Sequence, residues 1–413
     1  MEHVTVETRA RRGELDALRV FVVLGLVFFH SALVFSPDDD YYVKNADTTE
    51  AITVLAGLGV VWAMPMLFLV AGLGSRHSIR RRGASRFTRE RLLRLGVPLV
   101  VGTVVLCPLP QWLRLRAAHS GYHESYLHFW SRFLTVHLDL GDFPFVLDGE
   151  YFETGHLWFV VLLLVFSLFL APVAGPLAAW GERAGERVAR RPALLLLPAL
   201  PVAAINALLG TEEGFAGWNR WAYLLFFLFG YVHADDDRVR AALRRIAVPV
   251  GWTGVLLFAG SAPGFLTLDD PFTEWNAVAL VTRAVFGAAG WCWVVAILGL
   301  LDRPRAVRRS PSRVLVYLGI AALPVYVLHQ PVVVALAYGV VGWSAPLVVK
   351  YAAIVAGSLA VIFAVYEYGV RRTRPTRILF GMRAAPPDTS PTPSDVMPPS
   401  GREPPHTRDD HAG

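Results

Sequence analysis

The sequence predicts an all-α, polytopic membrane protein of about ten transmembrane helices, and three observations carry that expectation. Hydrophobic residues make up 54% of the chain against 17% charged, with twelve tryptophans in 413 positions, more than a soluble globular chain normally shows. Windows of about 20 residues, the length that crosses a hydrocarbon core, pick out segments near 17–36, 51–73, 95–113, 156–179, 193–210, 219–234, 246–266, 276–301, 314–340 and 345–370. The connections between them alternate in charge. Those on one side hold 28 arginines, and those on the other hold only Lys44, Arg114, Arg116, Arg132 and Arg220 beside acidic runs such as "SPDDD". Lys and Arg are retained in cytoplasmic loops, so the reading is a multi-pass protein of the cell (plasma) membrane with both termini in the cytoplasm.

The elements follow in order. The apolar run of residues 20–35 is longer than a secretory h-region and no A-x-A-like site follows it, so it is read as the first spanning helix. The net charge of +6 lies in short arginine clusters between apolar segments, the pattern of loops facing an anionic leaflet, and no nucleic-acid partner is expected. Cys107 and Cys292 fall within apolar stretches, which leaves no disulfide framework or CxxC site. The long connection of 114–155 contains "YHESYLHFWSRFLTVHL", with aromatic and apolar residues at helical spacing, and predicts an amphipathic helix on the outer interface. His119, His123, His128 and His137 lie there without an HExxH-type partner pattern, so they are read as a solvated face and no metal is expected. From about 381 the composition turns to Pro, Ser and charge, the signature of a disordered tail. The expected organisation is a cytoplasmic segment 1–16, a membrane domain 17–380 and a tail 381–413, with no internal repeat.

The first span poses a chemical question, because ionisable groups in hydrocarbon are costly and usually functional. In "LDALRVFVVLGLVFFH", Arg19 and His30 are eleven positions apart. At about 100° per residue they share a helix face, about 16 Å apart along the axis. A cation at the inner mouth suits phosphates, and a buried imidazole suits proton transfer. Acyl-coenzyme A has that layout, with phosphates at one end and a thioester at the other. The plainer alternative is that Arg19 snorkels and His30 bonds a neighbouring helix. Arg91 and Arg94 share a face at i,i+3 at the start of the third span, where guanidinium forks can grip phosphate oxygens; the other arginines of 75–94 set topology. His329 lies at the same depth as His30, which allows a shared polar cavity or, alternatively, two separate interhelical donors. Arg283 and His156 are candidates for holding an acceptor, with structural anchoring as the rival role. Tyr326, one turn before His329, is a third candidate for holding the acceptor, with aromatic packing as its rival role, and Trp158 and Trp275 are read first as interfacial-belt residues and second as sugar-stacking platforms. Glu367, near the inner end of the last span, is read as an ion-pair partner of Arg19 or of a loop arginine.

These motifs resemble those of the acyltransferase 3 family of integral membrane acyltransferases, in its glucan-modifying branch. Arg19 and His30 resemble the R-x10-H signature of the family's first helix. "MPMLFLVAGLGSRHSIRRRG" resembles its second helix and basic loop, and "RERLLRLGVP" its RxxR element, carried by Arg91 and Arg94. "TGHLWFVVLLL", "LGIAALPVYVLHQPVVV" and "VYEYGVRRTRPTRILFG" resemble a GHLWF-type entry, a Y-x-x-H-x-P element and the terminal acidic motif, in the family's order up to about residue 382. The terminal motif departs from the usual I-E-x-P, because Glu367 is followed by Tyr368 and Gly369.

The resemblance implies a ten-helix enzyme that moves an acyl group from cytoplasmic acyl-CoA to a hydroxyl, often of a carbohydrate, glycolipid or glycosylated metabolite. It implies no permanently bound cofactor, Arg19 holding the donor, Arg91 and Arg94 its phosphates or adenine end, and His30 essential for transfer. The hydrolase-like domain fused to some members is not seen, so transfer is expected to be completed by the membrane domain. His30, neutral in a dry site, then serves as general base on the acceptor hydroxyl; a covalent acyl-imidazole is the alternative, and both stay open. The rival class is a secondary transporter or flippase, which predicts paired interrupted helices in two related halves. Gly and Pro are scattered here instead. A purely structural membrane protein gives no reason for Arg19 and His30 on one face.

Overall fold

The computed structural model describes residues 13–37, 41–118, 121–233, 236–303 and 312–383. Among the described residues, nine helical segments are long and apolar enough to cross a membrane, and Arg220–Val232 is apolar but shorter. Each expected span meets one of these ten segments, and the chain is an all-α polytopic membrane protein. Residues 1–12 and 384–413, which contain most of the expected N-terminal segment and tail, lie outside the described residues, as does His119.

The first span is α1 (Gly13–Leu33), and the second is built from α2 (Ala51–Val60) and α3 (Ala63–Arg82). The third joins α4 (Ala84–Arg91), α5 (Val97–Val101) and α6 (Pro108–Ala118) through two π-helical turns, Leu92–Gly96 and Gly102–Leu106. After a short α7 (Tyr126–Phe133) and a hairpin of β1 (His137–Leu138) and β2 (Leu147–Asp148), the chain enters α8 (Trp158–Arg190). Then come α9 (Ala199–Leu209), α10 (Arg220–Val232), α11 (Asp237–Thr267), α12 (Ala277–Leu301), α13 (Arg313–Val340), α14 (Leu347–Ala364) and α15 (Arg374–Leu379). A third π-helical turn, Val365–Val370, continues α14.

The boundaries differ from the sequence expectation where helices run on into water. Residues 75–94 were expected to be a basic loop; instead α3 continues to Arg82 and α4 begins at Ala84, with the turn made at Gly83, whose φ is 78°. Similarly, α8 carries Arg183, Arg187 and Arg190 on its last turns. Arg, Ala and Glu are strong helix formers, so a helix that starts in the bilayer keeps its hydrogen-bond ladder beyond it. The amphipathic helix expected over "YHESYLHFWSRFLTVHL" is shorter, with Phe129 and Phe133 buried, because the chain switches at Leu134 into the hairpin.

Packing sorts the helices into central and peripheral members. In the spanning stretch of α13 72% of residues are buried and in that of α11 only 22%, so α13 lies at the centre and α11 at the periphery. Helix α1 packs along α13 and also touches α14, α3 packs along α10, and α9, α11 and α12 form a third group. The α3–α10 contact is set by backbone: a Cβ at Gly72 would lie 2.0 Å from the Phe227 carbonyl oxygen, and one at Gly230 would lie 2.0 Å from that of Leu69. Small residues at such crossings let helices approach closely enough for van der Waals packing to hold them. Gly230→Ala is therefore expected to cost about 3 kcal/mol, measured by thermal unfolding in detergent. Gly175→Ala, where nothing lies within 4 Å of the new carbon, should leave stability unchanged.

Candidate active site

The centre of the bundle holds three imidazoles brought from three distant parts of the chain. His30 comes from α1, His156 from the 3₁₀ turn Gly155–Leu157 that leads into α8, and His329 from the middle of α13. The His30 and His329 ring centroids are 5.0 Å apart, and those of His156 and His329 are 4.9 Å apart. Tyr326 joins them, 5.4 Å from His329 and 5.7 Å from His156, and Tyr41 stacks 5.8 Å from His30.

Local sequence explains how these rings are held. Pro331 lies inside α13 and has no N–H, so the carbonyl four residues earlier, Val327, loses its helical donor. His156 fills the vacancy, its Nε2 lying 3.0 Å from that oxygen. A carbonyl only accepts, so this nitrogen carries the proton. Tyr326 donates its hydroxyl to the backbone carbonyl of His156, which latches the same turn a second time. His329 donates from Nδ1 to the Tyr326 carbonyl at 2.5 Å, and its Nε2 is left buried. Neither that nitrogen nor Nδ1 of His30, also buried, has a hydrogen-bond partner among the described residues. Buried polar atoms are nearly always satisfied, so two adjacent exceptions on facing rings mark the place where a further polar group is to be received.

Between α1 and α13, on the arginine-rich side of this cluster, lies a small apolar recess. Val20, Val23 and Leu24 of α1 and Leu318, Ala322 and Val325 of α13 line this apolar space. Arg19 precedes Val20, and its Nη2 lies 3.8 Å from where a Cβ on Gly319 would sit, so the guanidinium caps that end of the seam. Its Nη2 donates to Asp16 at 3.0 Å, and the side chain is 37% exposed. Val325 is one turn before His329. A cation, an apolar slot and a pair of unsatisfied imidazole nitrogens therefore follow one another along one helix seam.

The other sequence candidates are placed differently. Arg91 and Arg94 flank the start of the π-helical turn Leu92–Gly96 and hold separate partners. Arg91 donates to Ser75 at 3.1 Å and lies over the Phe87 ring, while Arg94 donates to the Gly381 carbonyl at 3.1 Å and meets Glu90 at 3.4 Å. Glu90 also pairs with Arg82. Arg283 is fully buried away from the histidines, with its two terminal nitrogens each donating at 3.1 Å, to the Pro271 and Ala207 carbonyls. Its head is thus taken up by the C-terminal turn of α9 and the connection before α12. Glu367 is held by Arg371 at 2.7 Å and accepts from Tyr317 at 3.0 Å. Trp158 belongs to no exposed belt; it packs among Phe68, Phe159, Phe215 and Tyr223, whereas Trp275 is 68% exposed. His128 and His137 are exposed and face Glu124 and Asp148 at 3.0 and 3.4 Å. Tyr122's hydrogen bond, with Arg132 beside it, holds the Glu124 carboxyl below its ordinary range.

Sequence reading passed over Tyr41, Tyr42 and Glu153, which border the cluster at the end opposite Arg19. Tyr42 donates its hydroxyl to Glu153, and Cys107 donates to the Thr154 carbonyl at 3.4 Å. The only signal was adjacency, since "YY" follows the first span and Glu153 stands three residues before His156.

A buried imidazole cluster beside an apolar recess, inside a multi-pass helical bundle, defines a membrane protein equipped for polar chemistry in its interior. The profile of the acyltransferase 3 family, described as an acyltransferase domain, matches residues 12–367, and the chain belongs to that family. It is a membrane acyltransferase. It is similar to glucans biosynthesis protein C of Salmonella heidelberg (strain SL476) and of Salmonella agona (strain SL483), in each case 23% identical over 341 residues, 77% of this chain and 81% of the relative. No solved structure matches the chain.

Replacing Arg283 leaves two buried carbonyls without donors, each worth about 1–3 kcal/mol. Arg283→Leu is expected to lower the thermal midpoint markedly, and Arg283→Lys, which keeps one donor, to lower it less. Equal midpoints for Arg283→Leu and wild type would remove the anchoring role.

Proposed function

We propose that this membrane acyltransferase takes its acyl group from cytoplasmic acyl-CoA and passes it to a hydroxyl of a carbohydrate, glycolipid or glycosylated metabolite. The observation that carries the donor reading is the seam between α1 and α13, where Arg19, an apolar crevice and the His30–His329 pair follow in line. That order suits a phosphate-bearing donor whose slender arm ends in a reactive carbonyl. The relatives' name, glucans biosynthesis protein C, supports a carbohydrate acceptor.

On this reading the arginine-rich connections face the cytoplasm, both termini lie there, and the protein resides in the plasma membrane. Residues 17–380 are the catalytic unit, with acyl-CoA as co-substrate and no resident cofactor. Arg19 holds the donor near its phosphate end, and Arg91 and Arg94, on the same side, engage its phosphates or adenine, Arg94 by giving up its loose contact with Glu90. His30 removes the proton from the acceptor hydroxyl as its oxygen attacks the thioester carbonyl. The new ester forms, the carbon–sulfur bond breaks, and the thiolate takes up the proton. His329, with its Nδ1 proton engaged by the Tyr326 carbonyl, turns the lone pair of Nε2 toward the reacting groups and supports the charge that develops on His30. The family match favours acyl transfer over the transporter alternative.

The test is release of coenzyme A from acetyl-CoA by the purified protein, with carbohydrate acceptors added. His30→Gln should reduce transfer by about 10²–10⁴-fold, the range of general-base catalysis, without loss of folded protein. Retained transfer would exclude His30 as the base. Arg94→Ala should raise the KM for acetyl-CoA about tenfold, equivalent to about 1.4 kcal/mol, and leave the acceptor KM unchanged. An unaltered donor KM would remove Arg94 from the donor site.

A further inference from the structure

We propose that Glu153, clamped by Tyr42 beside the histidine cluster, forms an acceptor subsite that grips a second hydroxyl of a polyhydroxylated acceptor. This rests on the acyl-transfer reading and adds to it a residue and a ligand chemistry. The observation is a closed circuit of polar and aromatic groups. From the His30 ring it passes to Tyr41 at 5.8 Å, from Tyr41 to Tyr42 at 5.5 Å, and by hydrogen bond to Glu153. From Glu153 the backbone returns through Thr154 and Gly155 to His156, whose ring meets His329 at 4.9 Å. The connection after α1 and the linker before α8 thus meet beside the imidazoles, at the end of the bundle opposite Arg19.

Gly155 makes the turn possible. Its φ is 47°, a conformation that favours glycine, and a Cβ there would lie 3.2 Å from the Tyr42 hydroxyl and 3.5 Å from Glu153 Oε1. Gln111 and Arg114 of α6 face the same carboxyl. Burial raises this carboxyl above its ordinary range, and the Tyr42 hydrogen bond pulls it back.

A carboxylate has about four lone-pair sites, and Tyr42 and Gln111 occupy two of them. Glu153 and Tyr42 are half-buried, so the remaining capacity can be reached. Hydroxyl donors bind a carboxylate through short, charge-assisted hydrogen bonds. Rings such as those of Tyr41 and Tyr42 offer an apolar body with a polar tip, a combination suited to the C–H faces and hydroxyls of a sugar. An acceptor held by one hydroxyl at Glu153 would place a neighbouring hydroxyl toward the unpartnered nitrogens of His30 and His329.

The experiment uses the full chain in detergent, acetyl-CoA as donor and a linear β-linked glucose oligosaccharide as acceptor, with wild type, Glu153→Gln and Tyr42→Phe compared. Oligosaccharide binding is read by tryptophan fluorescence in parallel with transfer. Glu153→Gln should raise the acceptor KM and dissociation constant at least about tenfold, with donor KM and thermal midpoint unchanged. Tyr42→Phe, which keeps the carboxylate and loses only its clamp, should raise the acceptor KM about threefold. An unchanged acceptor KM in Glu153→Gln overturns the proposal. So does a lowered midpoint with equal changes in both KM values, the mark of a structural clamp, or failure of the oligosaccharide to bind wild type. Binding that weakens in Glu153→Gln while acetyl-CoA is never consumed would instead overturn the acyl-transfer reading and leave the subsite standing.

Discussion

The seam between α1 and α13 is the constraint on which the rest of the structure depends. It must hold imidazoles and phenols in a layer where no water competes for their hydrogen bonds and every unsatisfied group is costly. The solution is made from backbone. Pro331 deprives the Val327 carbonyl of its helical donor, His156 supplies a replacement, and Tyr326 and His329 bond to carbonyls within the same two elements. Removing one N–H from the most buried helix thus frees the acceptor that orients His156.

The periphery follows from that centre. With α13 enclosed, the outer helices need only close around it, and α11 packs against α12 with its far side exposed. Close approaches such as Gly72 against Phe227 draw α3 and α10 together without polar groups. At the arginine-rich end the helices continue past the apolar layer, and acidic residues steady the charge they bring: Glu90 between Arg82 and Arg94, Asp302 between Arg240 and Arg244, Glu367 beside Arg371. The two ends of the seam therefore differ in kind. One is a collar of cations, and the other is closed by Tyr42, Glu153 and the turn at Gly155.

How much of this was legible in the sequence depends on the range of the physics involved. Spans were legible because an apolar run of about 20 residues has few alternatives to a membrane helix. Their ends were not, because Arg, Ala and Glu favour helix in water as well, so the charge run of 75–94 marked a side of the membrane without marking a loop. Arg19 and His30 on one face follow from helical period alone. At Arg91 and Arg94 the period names no partners, and only the structure sets Arg91 on Ser75 and Arg94 on the Gly381 carbonyl. Arg283 and His156 looked alike as lone ionisable residues on the outer side of their spans, and only their partners separate them: the Ala207 and Pro271 carbonyls for Arg283, the Pro331-vacated carbonyl for His156.

By itself the sequence determined that this chain is a polytopic helical membrane protein, which connections carry its arginines, and that a cation and an imidazole face the same way along the first span. These are properties of one segment at a time, set by composition, period and length. Only the tertiary structure decided that His30, His156 and His329 meet, that Tyr42 reaches Glu153 across 111 positions, and that Arg283 stands apart. Such contacts depend on how helices far apart in sequence pack and where a proline or a wide turn rotates them, and no local pattern encodes those angles.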